Sequence, residues 1–476
     1  MKILFCDSYN HTDTLVVLNI KEKKNINPLK SFPNILKNLN LTGSHNEKST
    51  LVNIDGFSKI HILGAGKLQK KRSLRNIGGK IYDISKNDKS IQVSVAGLSK
   101  QDIAQIAYGF ILGSYSFTKY KTVKNESAKL DKVSFVGENS SEAKKCFDNL
   151  NCIAQGVFLA RDLVNEPANV LTPEKFVETA KGLSRLGVKV KILNEDELKK
   201  LGMNALLAVG QGSANKSYVA IMEYMGTKES ENPFVFLGKG VTFDTGGISL
   251  KPSGGMEDMK FDMGGASAVI GAMKAISLRK AKANVIGVLG LVENMPDGLA
   301  QRPGDVVASM SGQTIEVINT DAEGRMVLAD CLTYVQKKYK PRSIIDLATL
   351  TGAMMVALGQ EYAGVFGNND ELKQNIINAG DSEVEGLWSM PMSKAYDKEI
   401  NSNIADMKNT GSKWGGACTA AAFLGRFIND GTSWAHLDIA GMAWEYKGKP
   451  TTPKGGVGFG VRTLDRLVWD WERSVK

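Results

Sequence analysis

Asn319-Thr320-Asp321-Ala322-Glu323-Gly324-Arg325 places two carboxylates one residue apart, with a guanidinium two residues later. In an extended segment residues i and i+2 point the same way, so Asp321 and Glu323 can converge on one point. Two anions at one point repel unless a cation lies between them, and hard divalent cations take carboxylate oxygens. Acidic residues also gather at helix N-termini, where they complement the helix dipole. A lone D-x-E is more often that than a metal site, so the rest of the chain has to decide.

Two more carboxylates occur in a comparable setting. Asp244-Thr245-Gly246-Gly247 and Asp262-Met263-Gly264-Gly265 repeat a D-x-G-G pattern within 22 residues. Either copy alone reads as a turn with an Asx side-chain bond, although the glycines also leave room for a ligand. Lys239 lies five residues before Asp244 and Lys251 seven after it. With Arg325 they put cations near the acids, where a cation can stabilise a developing oxyanion or simply balance charge. Spacing does not separate these two roles. The four histidines, His11, His45, His61 and His436, lack metal-ligand spacing, and there is no G-x-S-x-G. A site here is therefore built mostly from oxygen ligands, and His436 reads as a buried structural residue.

The elements that must position these groups alternate between strand and helix. Thr314–Ile318 alternates like a strand before the acidic run, and residues 326–335 carry a helical apolar pattern after it. Phe234–Gly238, Asn284–Val292 and Ser343–Leu347 read as further strands, and residues 266–279 as a helix. Ligands of open α/β sheets bind at the carboxyl ends of strands, so such a sheet could gather four carboxylates at one edge. The expected fold class is α/β: a small N-terminal α/β domain over residues 1–140, a connecting helix over 141–165, and a larger domain over 166–476. The larger domain should hold a mixed, mostly parallel sheet flanked by helices. Pro167 should stop the connecting helix, and Thr172-Pro173 should start the next. Gly64-Ala65-Gly66 after a strand reads as a tight turn, not as a dinucleotide loop.

The chain has 476 residues, 42% hydrophobic and 23% charged, as in ordinary globular proteins. Five scattered cysteines without a C-x-x-C argue against a disulfide framework and a thiolate zinc site. The start Met1–Cys6 is too short an apolar run for a secretory signal. Val285–Val292 is strand length, not membrane-spanning length. The expectation is a cytoplasmic protein without membrane association. Net charge is +10, with residues 1–150 carrying +11 and the remainder −1. Lys70-Lys71-Arg72, Arg75 and Lys80 form the densest basic patch. Solvation is the commoner reason for such a patch, and nucleic acid the alternative.

Gly238–Gly247 resembles the first signature of the leucyl (cytosol) aminopeptidase family, and Met259–Gly265 resembles the second. Asn319–Arg325 matches the heptapeptide that marks that family; Arg161–Pro167 and Thr349–Ala353 also look like it. The likeness covers residues 150–476 and is highly specific, whereas the N-terminal part is similar only in size and coarse pattern. The resemblance implies an aminopeptidase that removes leucine and other apolar residues from peptides with a free N-terminus. It implies two divalent metal ions per chain, manganese or zinc, that activate a water nucleophile. Lys239, Asp244, Asp262 and Glu323 match the ligands of one ion; Asp244, Asp321 and Glu323 match those of the other. Lys251 and Arg325 match the catalytic positions, Lys251 stabilising the oxyanion and Arg325 holding a bicarbonate as general base. Met259 and Thr349–Gly352 match positions near the first side-chain pocket. A homo-hexamer is also implied. Two other classes stay open: a nucleic-acid-binding protein acting through the basic N-terminal domain, and a metal-dependent phosphoesterase.

Overall fold

The computed structural model describes residues 1–10, 14–21, 31–45, 47–68, 70–123, 130–228 and 231–475; His11 lies outside them. Two compact units emerge. One comprises Met1–Ala154 with Lys447–Lys454, the other Gln155–Tyr446 with Gly455–Lys476.

The first unit holds strands β1 (Lys2–Cys6), β2 (Thr14–Ile20), β3 (Lys48–Ile54), β4 (Phe57–Gly66), β5 (Ser90–Ser94) and β6 (Lys132–Val136). They form one sheet in the order β1-β6-β5-β2-β4-β3. Helices α1 (Phe32–Asn38), α2 (Lys71–Ser85) and α3 (Lys100–Gly113) accompany it. Leu15 and Val17 of β2 face a small core with Phe32 of α1; Val16 and Leu18 face a larger one with Ile77, Ile81 and Phe110. That alternation is the period-two signature of a strand covered on both faces. Gly64-Ala65-Gly66 is the end of β4, not a tight turn, and Gly64 donates its N–H to the Glu47 carbonyl.

Helix α4 (Ser140–Asn165) runs from the first unit into the second. Helix α5 (Pro173–Gly182) follows, with the Thr172 hydroxyl accepting the Lys175 N–H as its cap. Then come β7 (Lys189–Leu193), α6 (Glu195–Leu201), α7 (Asn204–Gly210), β8 (Tyr218–Met225), β9 (Phe234–Asp244), α8 (Gly264–Leu278) and β10 (Asn284–Asn294). Next are β11 (Val306–Ala308), β12 (Thr314–Glu316), α9 (Gly324–Lys338), β13 (Ser343–Ala348), α10 (Gly352–Leu358), β14 (Ala363–Gly367) and α11 (Asp370–Glu383). The chain closes with β15 (Leu387–Ser389), α12 (Lys394–Glu399), β16 (Met407–Lys408), α13 (Gly416–Gly425), β17 (Trp434–Asp438) and α14 (Val461–Ser474).

The large sheet has eight strands in the order β15-β14-β17-β13-β9-β10-β8-β7. Its four central strands, β17, β13, β9 and β10, are mutually parallel. Phe234 and Phe236 of β9 pack into a core with Ala266, Ile270 and Met273 of α8. Val235 and Leu237 pack on the other face with Met326, Val327 and Leu332 of α9. Helices on both faces are what parallel strands require. The carboxyl ends of the central strands therefore share one edge, where Asp244, Asn294, Ala348 and Asp438 end their strands.

One expectation changes. The strand before the acidic run is Thr314–Glu316, and it belongs to a separate three-stranded sheet with β11 and β16. Alternating apolar residues announce a half-buried strand but not the sheet it joins. Asp321 and Glu323 reach the edge through the turn between β12 and α9. Glu323 already has helical backbone angles, φ −81° and ψ −38°, so period-two alternation is not what brings the two carboxylates together.

Candidate metal centre

β9 is buried along nearly its whole length, which carries Lys239 and Asp244 out of solvent. The register with β10 slips once, between Val292 and Asn294, so that Asn294 stands level with Asp244. Beyond Asp244 the chain turns through Gly246 (φ 88°) and Gly247 (φ 66°), conformations L side chains rarely adopt. A Cβ on Gly247 would also meet the Asn294 and Thr320 side-chain oxygens at 2.8 and 3.0 Å. Asp262 follows a short 3-10 turn, Met256–Phe261, and leads into α8. Glu323 is the N-cap of α9. Gly324 opens that helix, and a Cβ there would lie 2.6 Å from the Lys239 side chain.

The structure brings Asp244, Asp262 and Glu323 together. All three are buried, and one oxygen from each lies within 4.8 Å of the others. Lys239 Nζ sits 2.8 Å from Asp262 Oδ2 and 2.7 Å from Glu323 Oε1, and it donates to the Thr349 carbonyl at 3.1 Å. Lys251 Nζ lies 2.8 Å from Asp244 Oδ2 and pairs with Asp321 Oδ1. Asp321 is the solvent-side member, its side chain 31% exposed against 7% for Asp262 and 2% for Glu323. It lies outside the carboxylate triple and is joined to it through Lys251.

Burial and mutual repulsion oppose ionisation of this many acids. Burial holds the Asp262 carboxyl well above the usual range, with Lys239 pulling the other way. Asp321 is pushed up to about 6 by burial and by Asp244, against the pull of Lys251. Burial pulls both lysines down, yet the surrounding carboxylates outweigh it and hold both above the ordinary lysine value. Arg325, buried at the start of α9, is drawn down to about 10 by desolvation. Its Nη1 donates to the Asn409 carbonyl at 2.8 Å, and its Nε makes no hydrogen bond.

This arrangement fits a divalent cation. Three buried carboxylates share one small space, two ammonium groups stand where positive charge is needed, and Asp262 Oδ2 and Asp321 Oδ1 make ion pairs but no hydrogen bond. Lys239 would join as a neutral amine once a cation displaced its proton.

Some supporting residues, Asn409 and Asp438 among them, carry no signal in the linear pattern. Asn409, just after β16, accepts the Ile318 N–H at 2.8 Å and donates to the Asn319 carbonyl at 2.7 Å. It thereby moulds the turn that carries Asp321. Thr349 donates its hydroxyl to Asp262 Oδ1 at 2.9 Å. Asp438, at the end of β17, accepts the Leu350 N–H and the Thr351 hydroxyl, fixing the loop that carries Thr349. Met259 is partly buried against the α8-side core. His436 is fully buried, its Nδ1 2.5 Å from Asp346 Oδ1. His61 bonds Asp88 and Thr50, and His45 lies against Gly66. None of the five cysteines forms a disulfide. Among the described residues no helix is long and apolar enough to cross a membrane.

Comparison with known proteins identifies the family. Residues 158–465 match the cytosol aminopeptidase family, catalytic domain, and residues 30–124 match its N-terminal domain. A probable cytosol aminopeptidase of Bradyrhizobium sp. is 57% identical over 375 residues, 78% of this chain and 75% of the relative. That of Brucella melitensis biotype 1 is 52% identical over 425 residues, 87% of each chain. Among solved structures, a mutant of tomato leucine aminopeptidase superposes with a TM-score of 0.87 at 33% identity, covering 99% of this chain and 96% of that one. The bottromycin maturation enzyme BotP in complex with Mn superposes with a TM-score of 0.87 at 30% identity, covering 97% and 99%. The chain therefore belongs to the cytosol aminopeptidase family and is a peptide hydrolase.

Proposed function

We propose that the protein is a two-metal aminopeptidase that removes leucine and other apolar residues from peptides with a free N-terminus. The observation that carries this reading is the buried triple Asp244, Asp262 and Glu323, bridged by Lys239 at the carboxyl edge of the sheet. Lys239, Asp244, Asp262 and Glu323 would hold one ion, and Asp244, Asp321 and Glu323 the other, manganese or zinc in either place. Such ions, when bound, lower the pKa of a water and polarise the scissile carbonyl.

The remaining roles belong to the chain. Lys251 is partly exposed at the mouth of the site and stays charged, so it can offer its ammonium to a developing oxyanion. Arg325 would hold a bicarbonate through guanidinium nitrogens not engaged by Asn409, and such an anion, when bound, would supply a general base. Met259 and the Thr349–Gly352 loop shape the pocket for the first side chain. The family resemblance supports a homo-hexamer working in the cytoplasm.

Three substrates test the reading: leucine p-nitroanilide, its N-acetylated form and p-nitrophenyl phosphate. Hydrolysis of the unblocked anilide alone is expected. Turnover of the phosphate ester alone would favour the phosphoesterase alternative.

A second reading concerns the first unit. Lys67, Lys70, Arg72 and Lys80 line one cavity of about 480 Å³ beside His45. Clustered cations suit a phosphate backbone. Nucleic acid binding there should weaken steeply with salt and fall in Lys70→Glu with Arg72→Glu; a salt-independent signal would count against it.

A further inference from the structure

Asn294 closes β10 level with Asp244. The pairing of β9 with β10 is regular to Val292 opposite Val241 and resumes at Asn294 opposite Asp244, so β9 carries one residue more over this step. A bulge of this kind re-aims side chains. In an unbroken register Asn294 would stand beside Phe243, whose side chain points to the other face.

The amide has two partners. Asn294 Nδ2 donates to Asp244 Oδ1 at 2.8 Å and to the Thr320 carbonyl at 3.1 Å. An ionised carboxylate and a backbone carbonyl only accept, so the NH₂ end of the amide must face them. The backbone carbonyl of Asn294 receives the Thr245 N–H at 3.0 Å and its hydroxyl at 2.9 Å. Asp244 Oδ1 also takes the Gly246 N–H at 2.9 Å. Two donors thus occupy Oδ1, while Oδ2 faces the Lys251 ammonium. Asn294 is 2% exposed, which shields its amide from bulk solvent.

We infer that Asn294 is a positioning residue for the metal centre. It occupies Asp244 Oδ1 so that Oδ2 is the oxygen presented to a cation. Through Thr320 it also ties the turn that carries Asp321 and Glu323 to the same carboxylate. One buried amide sets the spacing between two halves of the site that lie about eighty residues apart in sequence. This rests on the reading of Asp244 as a metal ligand. Partners that orient a ligand carboxylate are worth about 10- to 100-fold in metal affinity or activity.

The test measures manganese binding to metal-stripped full-length protein by competition with a fluorescent chelator, beside circular dichroism and steady-state kinetics. Asn294→Ala should bind manganese about 10- to 100-fold more weakly than wild type. Asn294→Asp keeps the shape but sets a carboxylate against Asp244, and should bind more weakly than wild type as well. Saturating metal should return kcat of Asn294→Ala to within a few-fold of wild type, with KM unchanged. A purely structural role would lower the unfolding temperature and leave the metal affinity of the folded protein alone. Folded variants that bind manganese as wild type does would overturn the inference and leave the metal-centre reading standing. A wild-type protein that binds no metal would overturn both. Should Asn294→Ala fail to fold, Asn294→Asp decides.

Discussion

Lys239 Nζ lies 2.7 Å from Glu323 Oε1, with both side chains at most 3% exposed, so an ammonium from the middle of β9 is locked under the first turn of α9. Removing one partner of a buried ion pair costs about 3–5 kcal/mol because the other charge is left uncompensated. Metal-stripped Lys239→Met should lose stability on that scale in urea unfolding. Added manganese should restore part of that loss, since the ion supplies positive charge among the carboxylates even without the Lys239 amine. A metal-stripped variant as stable as wild type would mean the ammonium does not hold these carboxylates together.

The roles proposed for Lys251 and Arg325 separate catalysis from metal holding. Lys251→Ala removes the cation beside Asp244 and Asp321, and kcat should fall by about 10²–10³. Arg325→Ala removes the proposed bicarbonate holder, and a loss of about 10²–10⁴ is expected from general-base catalysis. Elemental analysis should still find two metal ions per chain in each variant. Full activity in either one would show its assigned role to be wrong.

Much of this centre was legible in the sequence because its chemistry sits in short runs. Asp244, Asp262, Asp321 and Glu323 lie in glycine-rich or acidic stretches whose composition is itself the signal, whereas the part given to Lys239 rests on the family resemblance alone. The regular elements beneath them were legible for a related reason: the apolar runs 284–292 and 343–347 fall on β10 (Asn284–Asn294) and β13 (Ser343–Ala348). Helix α2 and strand β3 were not foreseen. The helix starts inside a lysine-arginine run that reads as surface charge, and the strand alternates polar residues with few apolar ones. Asn294 and Asn409 were invisible for a different reason. An asparagine has no motif of its own, and each acts through a contact 26 to 91 residues away in the chain. The one available hint was Asn294 ending a long apolar run at the position where a parallel strand meets its ligand edge.

Asn409 makes a separate prediction. Its amide satisfies the Ile318 N–H and the Asn319 carbonyl, and each buried group left unpaired costs about 1–3 kcal/mol. Asn409→Ala should speed hydrogen exchange across residues 318–322 and lower kcat. Unchanged exchange there would separate Asn409 from the turn it is expected to shape.

Asp330 gives a pH dependence away from the carboxylate cluster. It sits inside α9 and accepts the N–H groups of Leu206 and Met310, and burial raises its pKa to about 7. Between the unfolded value near 3.8 and about 7 the folded state therefore binds more protons than the unfolded one. Stability should fall as pH rises through this window. Asp330→Asn should flatten the slope while lowering stability at pH 5, since its NH₂ would face one of those N–H groups. A slope in urea unfolding midpoints that is the same in both proteins would exclude Asp330 as its source.

The central claim is that the carboxylate cluster works only with two ions in place. Stripped protein, shown to be folded by circular dichroism, is assayed on leucine p-nitroanilide while manganese or zinc is titrated back. The account predicts no release of the chromophore without metal and activity that saturates near two ions per chain. Full activity in the absence of metal, or none at any metal concentration, would contradict it.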